Sequence, residues 1–374
     1  MTAQTTAPTT APTTPQSLDD RTNGLTWLDT DGNPIHTHGG GVLFHDGVYY
    51  WYGEGRGPKW RNDGVTCYSS RDLVNWKNEG VAMKVVEDDP ASPIARGGNI
   101  ERPKVIYNAR TKQFVMWFHL ELKGSRYGSA MAAVATSDSP TGPFKFIRAS
   151  RPNAGQWPID LPEELRTPLD RDGVKAISDA KGYWPGLVEG SHVRRDFAGG
   201  QMSRDMTVFV DPDNQKAYLI SSGEENYTLH FHELTDDYTG FTGKWMRVAP
   251  GGHNEAPAIV KHDSKYYLLT SGCTGWAPNA ARAHVATSMW GPWKPMKNPC
   301  RGRTPDGIGP EKTFGGQSTH LLPMEGKPGS FIAMFDVWRP KDLPTSGYMW
   351  LPARIEGDQL VVEWRDKWSP ELLK

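Results

Sequence analysis

Cysteine is scarce in this chain. The three present, Cys67, Cys273 and Cys300, are too few and too scattered for a disulfide framework or a zinc cluster. A single Cys273–Cys300 bond is open to the chain, and so are free buried thiols. Long apolar runs are also missing: none reaches the roughly 18 residues that a membrane-spanning helix needs. Charge of one sign is lacking too, with 42 Lys and Arg against 43 Asp and Glu, a net charge of −1. No basic face follows from that balance, which argues against nucleic acid and anionic membrane as partners. There is no Gly-x-Ser-x-Gly elbow, no P-loop and no dinucleotide fingerprint. Helix-favouring composition is poor as well. The 40 Gly, 30 Pro, 15 Trp and 13 Tyr favour many short strands and tight turns.

The first twenty residues, rich in Thr, Ala and Pro, are expected to be a flexible tail. They lack the charged and apolar regions of a signal peptide. Tails of this kind link exported modules, so a secreted or periplasmic location with a leader removed is expected; a cytoplasmic one is compatible.

What the chain does have is repetition. Val42-Leu43-Phe44, a turn at His45-Asp46-Gly47, and Val48 to Tyr52 form a hairpin pattern. Strands around Val65–Ser70 and Asn75-Trp76-Lys77 complete a first unit. A second begins at Glu101-Arg102-Pro103, a third at Met206, a fourth at Ala258 and a fifth at His320. Ser139 to Phe144 in unit two matches Ser288 to Trp293 in unit four, and Arg71 to Trp76 fills the same slot in unit one. An all-β sandwich is the plainer alternative. Five units of four strands each favour a five-bladed β-propeller over residues 21–374. Arg148 to Gln201 breaks the pattern. This insertion between blades two and three is expected to run over one face, narrow the cleft and favour action at chain ends.

In a propeller, the innermost strands begin side by side around the central axis. The residues at those starts are His36 and His38 with the glycines that follow, Glu101, Asp205, Glu255 and Gln317. An acid at a strand start often only caps a turn. Three carboxyls and an amide at equivalent places in repeats point further, to the paired carboxyls of glycoside hydrolysis. Crowding raises the pKa of one of them and keeps it a proton donor near neutral pH. Most of the tryptophans are expected to pack between blades. Trp276, in the Gly- and Pro-rich loop from Gly272 to Asn279, is the best platform for a sugar to stack on. His38, Arg102, Glu224, Asn279, Trp338 and Trp350 complete the candidate sugar contacts. His36 and His38 make only a weak metal signal. No cofactor is required, and a calcium ion in the central channel is a structural cation the fold could hold.

Several stretches then resemble one family. They are Asp29 to Ile35, His38 to Gly41, Tyr49 to Glu54, Glu101 to Val105, Ser203 to Thr207, Glu255 to Ala258, and Ser271 to Asn279. Together they resemble glycoside hydrolase family 43, in particular its exo-β-1,3-galactanase branch and related furanosidases, from about Trp27 to Trp368. The resemblance implies a five-bladed propeller and single-displacement inversion at the anomeric carbon. It gives Glu255 the role of general acid and Asp205 that of tuning this acid and orienting the sugar. Most of the wider family opens its first blade with an aspartate base. Here that region reads His36-Thr37-His38-Gly39-Gly40-Gly41. In the galactanase-like branch a glutamine acting in its imidic form takes the base role, and Gln317 matches it, with Glu101 the alternative base.

The expected activity is therefore exo-acting release of galactose from β-1,3-galactan, by a monomer acting on an oligo- or polysaccharide. An α-L-arabinofuranosidase or β-D-galactofuranosidase would use the same centre. A carbohydrate-binding propeller that has lost catalysis is the alternative from another class.

Overall fold

The computed structural model describes residues 21–56 and 62–373; the tail expected over residues 1–20 lies outside the described residues. Five sheets are found among them, each an antiparallel meander, with one short parallel strand added to the last. Blade one is β1 His38–His45, β2 Val48–Arg56, β3 Asn62–Ser70 and β4 Lys77–Lys84. Blade two is β5 Asn99–Asn108, β6 Gln113–Glu121, β7 Met131–Ser137 and β8 Lys145–Ser150. Blade three is β9 Met206–Val210, β10 Ala217–Gly223, β11 Thr228–Leu234 and β12 Phe241–Val248. Blade four is β13 Asn254–His262, β14 Lys265–Gly272, β15 Arg282–Ala286 and β16 Lys294–Pro295. Blade five is β18 Gln317–Pro323, β19 Ser330–Val337, β20 Gly347–Glu356 and β21 Gln359–Glu363, with β17 Cys300–Arg301 parallel to β21. This is the five-bladed propeller expected from the repeats.

Local chemistry explains the hairpins. The first turn needs two left-handed residues in succession, and Asp46 (φ 48°) and Gly47 (φ 76°) supply them. The sequence misplaces one strand: Asn75 and Trp76 precede the fourth strand of blade one, which starts at Lys77. Trp76 is fully buried instead, because the turn before it packs on the neighbouring blade.

The core is divided. One apolar cluster fills each junction between adjacent blades, so every blade buries both of its faces. The junction of blades five and one is built of indoles. Trp350 lies 4.8 Å from Trp51, 5.4 Å from Trp27 and 5.7 Å from Trp76, ring centre to ring centre. Removing one such indole leaves a cavity costing about 3–5 kcal/mol. The ring is closed by its own ends: Trp368 N–H donates to Arg21 O and Asn23 N–H to Asp366 O, both at 2.8 Å.

Between β8 and β9 the chain forms three short helices, α1 Arg171–Lys181, α2 Tyr183–Val188 and α3 Ser191–Arg195. This segment packs along the outer strand of blade three. Leu161 and Val193 close over Trp245, Ile159 N–H donates to Trp245 O (2.9 Å), and Asp160 accepts from Arg247 N–H (2.8 Å).

Candidate active site

Four of the five inner strands break register within their first three residues. The irregularities fall between His38 and Gly41, Glu101 and Lys104, Glu255 and Ala258, and Ser318 and His320. A bulge bends a strand end and re-aims its side chains. In three blades the residue that opens the break turns left-handed: Gly39 (φ 67°), Arg102 (φ 53°) and Ala256 (φ 50°). For the two non-glycine residues that conformation costs of order 1–2 kcal/mol each.

Each of these three amides is held by a carboxylate of the preceding blade. Gly39 N–H donates to Asp336 (2.6 Å), Arg102 N–H to Glu54 (3.1 Å) and Ala256 N–H to Asp205 (3.1 Å). The result is a cavity of about 340 Å3 at the mouth of the channel. Glu101, Asp205, Glu255 and Gln317 all line it, together with Arg102, Trp276 and Trp338. The sequence-based reading of the inner strand starts thus converges on one place for these residues.

Their environments are unequal. Burial, followed by the negative charge of Asp205, pushes the Glu255 carboxyl up to about 7, against a smaller opposing hydrogen bond from the Cys273 thiol. Asp205 is paired with the Arg102 guanidinium at 3.0 Å. Burial alone would raise Glu101. The His119 imidazole 3.2 Å away, with Arg56 and the Tyr127 hydroxyl, outweighs it and holds Glu101 at about 2. His119 in turn overcomes its own burial through Glu101 and Glu121 and rises to about 9. One carboxyl of the cavity is therefore ready to give a proton near neutrality, and another stays ionised.

Gln317 is fixed from three sides. Its Oε1 accepts from Arg102 (2.5 Å) and from Trp338 Nε1 (2.9 Å), and its Nε2 donates to Ser271 Oγ (3.1 Å). Arg102 also donates to Ser318 O (3.1 Å). Its fork is spent on protein groups, so Arg102 positions Asp205 and Gln317 rather than reaching freely into the cavity. Trp276 is 49% exposed at the rim, edge-on to Trp338 at 5.6 Å.

Four candidate sugar contacts lie elsewhere. Trp350 is fully buried in the indole cluster. His38 is buried, stacked on Tyr348 at 4.4 Å, with Nε2 3.0 Å from Ser346 O. Asn279 ties down the Trp276 loop through Gly272 and Thr274. Glu224 is buried between Arg247 (2.7 Å) and His230 (3.1 Å). Burial raises its carboxyl, but those two partners win and hold it at about 2. Arg247 also donates to Leu187 O and Val188 O at the end of α2. Glu224→Ala should cost about 3–5 kcal/mol of stability, because it leaves a buried cation unpaired. Urea unfolding measures this, and an unchanged substrate KM in the folded protein separates scaffolding from sugar contact.

Of the two cysteine states left open by the sequence, the structure has the free thiols. All three cysteines are free: Cys273 faces Glu255 and Asn226 O, and Cys300 packs inside blade five, so no Cys273–Cys300 bond forms. Among the described residues, the insertion contributes nothing to the lining of this cavity, so it does not narrow the cleft directly.

In the channel below, the buried Lys104 amine donates to Gly39 O (2.7 Å) and Arg102 O (3.5 Å), and burial, with the nearby Arg102 charge, lowers its pKa to about 7. His38 is engaged as described, and no three His, Cys, Asp or Glu side chains gather as a cage among the described residues.

Sequence reasoning missed Glu54, Arg56, His119, Tyr127, Arg204 and Asn226, which also line the cavity. A signal existed for two of them. Glu54 and His119 pair directly with His38 and Glu101 across the first hairpin of their blades.

The profile of Glycosyl hydrolases family 43 matches residues 170–314. Among solved structures, a GH43 β-1,3-galactosidase with galactodeoxynojirimycin is 50% identical, covers 93% of this chain and 99% of its own, and superposes with a TM-score of 0.87. An exo-β-1,3-galactanase from Clostridium thermocellum is 36% identical over 92% of this chain and 65% of its own, with a TM-score of 0.73. One from Phanerochaete chrysosporium, solved with β-1,3-galactotriose, is 30% identical over 93% and 67%, with a TM-score of 0.73. A xylan 1,3-β-xylosidase from Vibrio sp. is 23% identical over 232 residues, 62% of this chain, and the chain spans 36% of that curated relative.

Proposed function

The chain belongs to glycosyl hydrolases family 43, and from that premise we propose that it is an exo-acting, inverting glycosidase that releases terminal galactose from β-1,3-linked galactan. The observation that carries this reading is the inequality of the carboxyls in one small cavity. Glu255 holds its proton to about pH 7 and is the general acid that protonates the leaving oxygen. Asp205 raises Glu255 by its charge and fixes Ala256, so it tunes and places the acid at once. A cavity of about 340 Å3 suits a chain end better than the middle of a polymer. Trp276 on its rim offers a face for the next sugar.

The base position falls to Gln317. The base role needs the imidic tautomer, in which a proton of Nε2 moves to Oε1 and the bare nitrogen accepts a proton from the attacking water; Arg102, Trp338 and Ser271 hold the group in place. A second reading makes Glu101 the base, favoured because it stays ionised in the same cavity.

The test is galactose release from β-1,3-galactobiose, with proton NMR of the first product. α-Galactose should appear before mutarotation. Early β-galactose would exclude single displacement. Cleavage of nitrophenyl furanosides with galactobiose untouched would move the substrate to an arabinofuranoside or galactofuranoside.

A further inference from the structure

The helical segment between blades two and three builds a second cavity beside the first. It encloses about 600 Å3 and shares Tyr127 and Arg204 with the acid cavity. Its walls gather four arginines from distant points of the chain: Arg151, Arg171 and Arg195 from the segment, and Arg204 from the lead into blade three. Two acids accompany them. Asp196 is taken by Arg195 in a two-pronged pair (2.7 and 2.8 Å). Glu225 spans Arg195 (3.2 Å) and Arg204 (3.5 Å).

That leaves the cavity with an excess of positive charge. Arg151 and Arg171 meet no carboxylate among the described residues. Arg151 is nevertheless fixed, since its Nε donates to Ser129 O (3.0 Å) and one terminal nitrogen to Gly128 O (2.8 Å). An anchored guanidinium with unspent donors is suited to bind a planar anion two-pronged. The volume lies within the roughly 300–1,000 Å3 of small-molecule sites. The connection through Tyr127 and Arg204 means that one branched glycan could fill both cavities.

We propose that this second cavity binds a carboxylated sugar, a uronic acid unit, carried on the same glycan whose end enters the acid cavity. The inference rests on the galactan reading above. It gives the insertion a purpose that the lining of the acid cavity does not: selecting acidic branches by charge.

Two measurements test it. In the first, calorimetry on the Glu255→Gln protein compares β-1,3-galactan oligosaccharides with and without a glucuronic acid branch. The branched ligand should bind about tenfold tighter at low salt, the scale of one charge-assisted pair. That advantage should shrink at high salt and vanish in an Arg151→Gln/Arg171→Gln protein that still binds the neutral oligosaccharide. Arg171→Gln alone, at an exposed position, should lower the advantage if the double variant does not fold. Equal affinity for both ligands, or an advantage that survives removal of the arginines, overturns the proposal.

In the second, free glucuronate and galactose 6-sulfate are titrated into the wild-type protein, which does not depend on galactan being the substrate. Glucuronate binding that is lost in the arginine variants supports the site even if galactobiose is not cleaved. Binding of the sulfate without the uronate overturns the carboxylate assignment.

Discussion

Replacing Glu255 by glutamine should lower kcat/KM on β-1,3-galactobiose by about 10²–10⁴-fold, the usual worth of a positioned proton donor. The loss should be much smaller on a nitrophenyl galactoside, whose leaving group needs no proton. An equal loss on both substrates would remove Glu255 from the acid role. The pH profile carries the same argument. The raised carboxyl gives the wild-type protein an alkaline limb near pH 7, since activity needs the protonated form. Asp205→Asn removes the charge that helps keep the proton on, so that limb should move to lower pH.

Stability should move the other way. A carboxyl whose pKa is higher folded than unfolded weakens the fold as pH rises above its unfolded value of about 4.3. The penalty is complete above about 7. Glu255→Gln should therefore raise Tm at pH 8 and leave it unchanged at pH 4.

The second large effect concerns the base. Gln317→Ala should cost a further 10²–10⁴-fold of about the same origin. Gln317→Glu is the sharper experiment. A glutamate can still accept from Arg102 and Trp338, so the geometry survives and an ordinary carboxylate base stands where the amide was. Activity should be retained or raised, with a new acidic limb in the pH profile. If Glu101 is the base instead, Gln317→Glu only adds a repelling anion and lowers the rate, while Glu101→Gln abolishes it.

The blades were legible in the sequence because turn dipeptides such as Asp46-Gly47 and alternating apolar runs mark them. The inner strand starts were legible once the repeats were aligned, and Glu101, Asp205, Glu255 and Gln317 do line one cavity. The errors have physical causes. Blades bury both faces, so an aromatic such as Trp350 reads the same whether it packs against a blade or faces a ligand. His38 occupies a strand start, yet its ring turns back onto Tyr348. The left-handed turns at Arg102 and Ala256 leave no mark, because residues there carry ordinary side chains. The helices of the insertion were hidden for another reason. Val174 and Ile177 are the only large apolar residues of α1 and neither is fully buried, so its apolar stripe is too thin to stand out.

The three bulge amides have a bearing on how this scaffold can change. Each is held by an acid from the blade before it: Asp336 for Gly39, Glu54 for Arg102, Asp205 for Ala256. The blades repeat in plan, yet they are not interchangeable parts. A blade moved from a relative would bring its own strand start and leave behind the neighbour that shapes it. New specificities on this frame should therefore come by altering loops such as Gly272 to Asn279, or by insertions such as the one bearing the arginines, and rarely by shuffling whole blades.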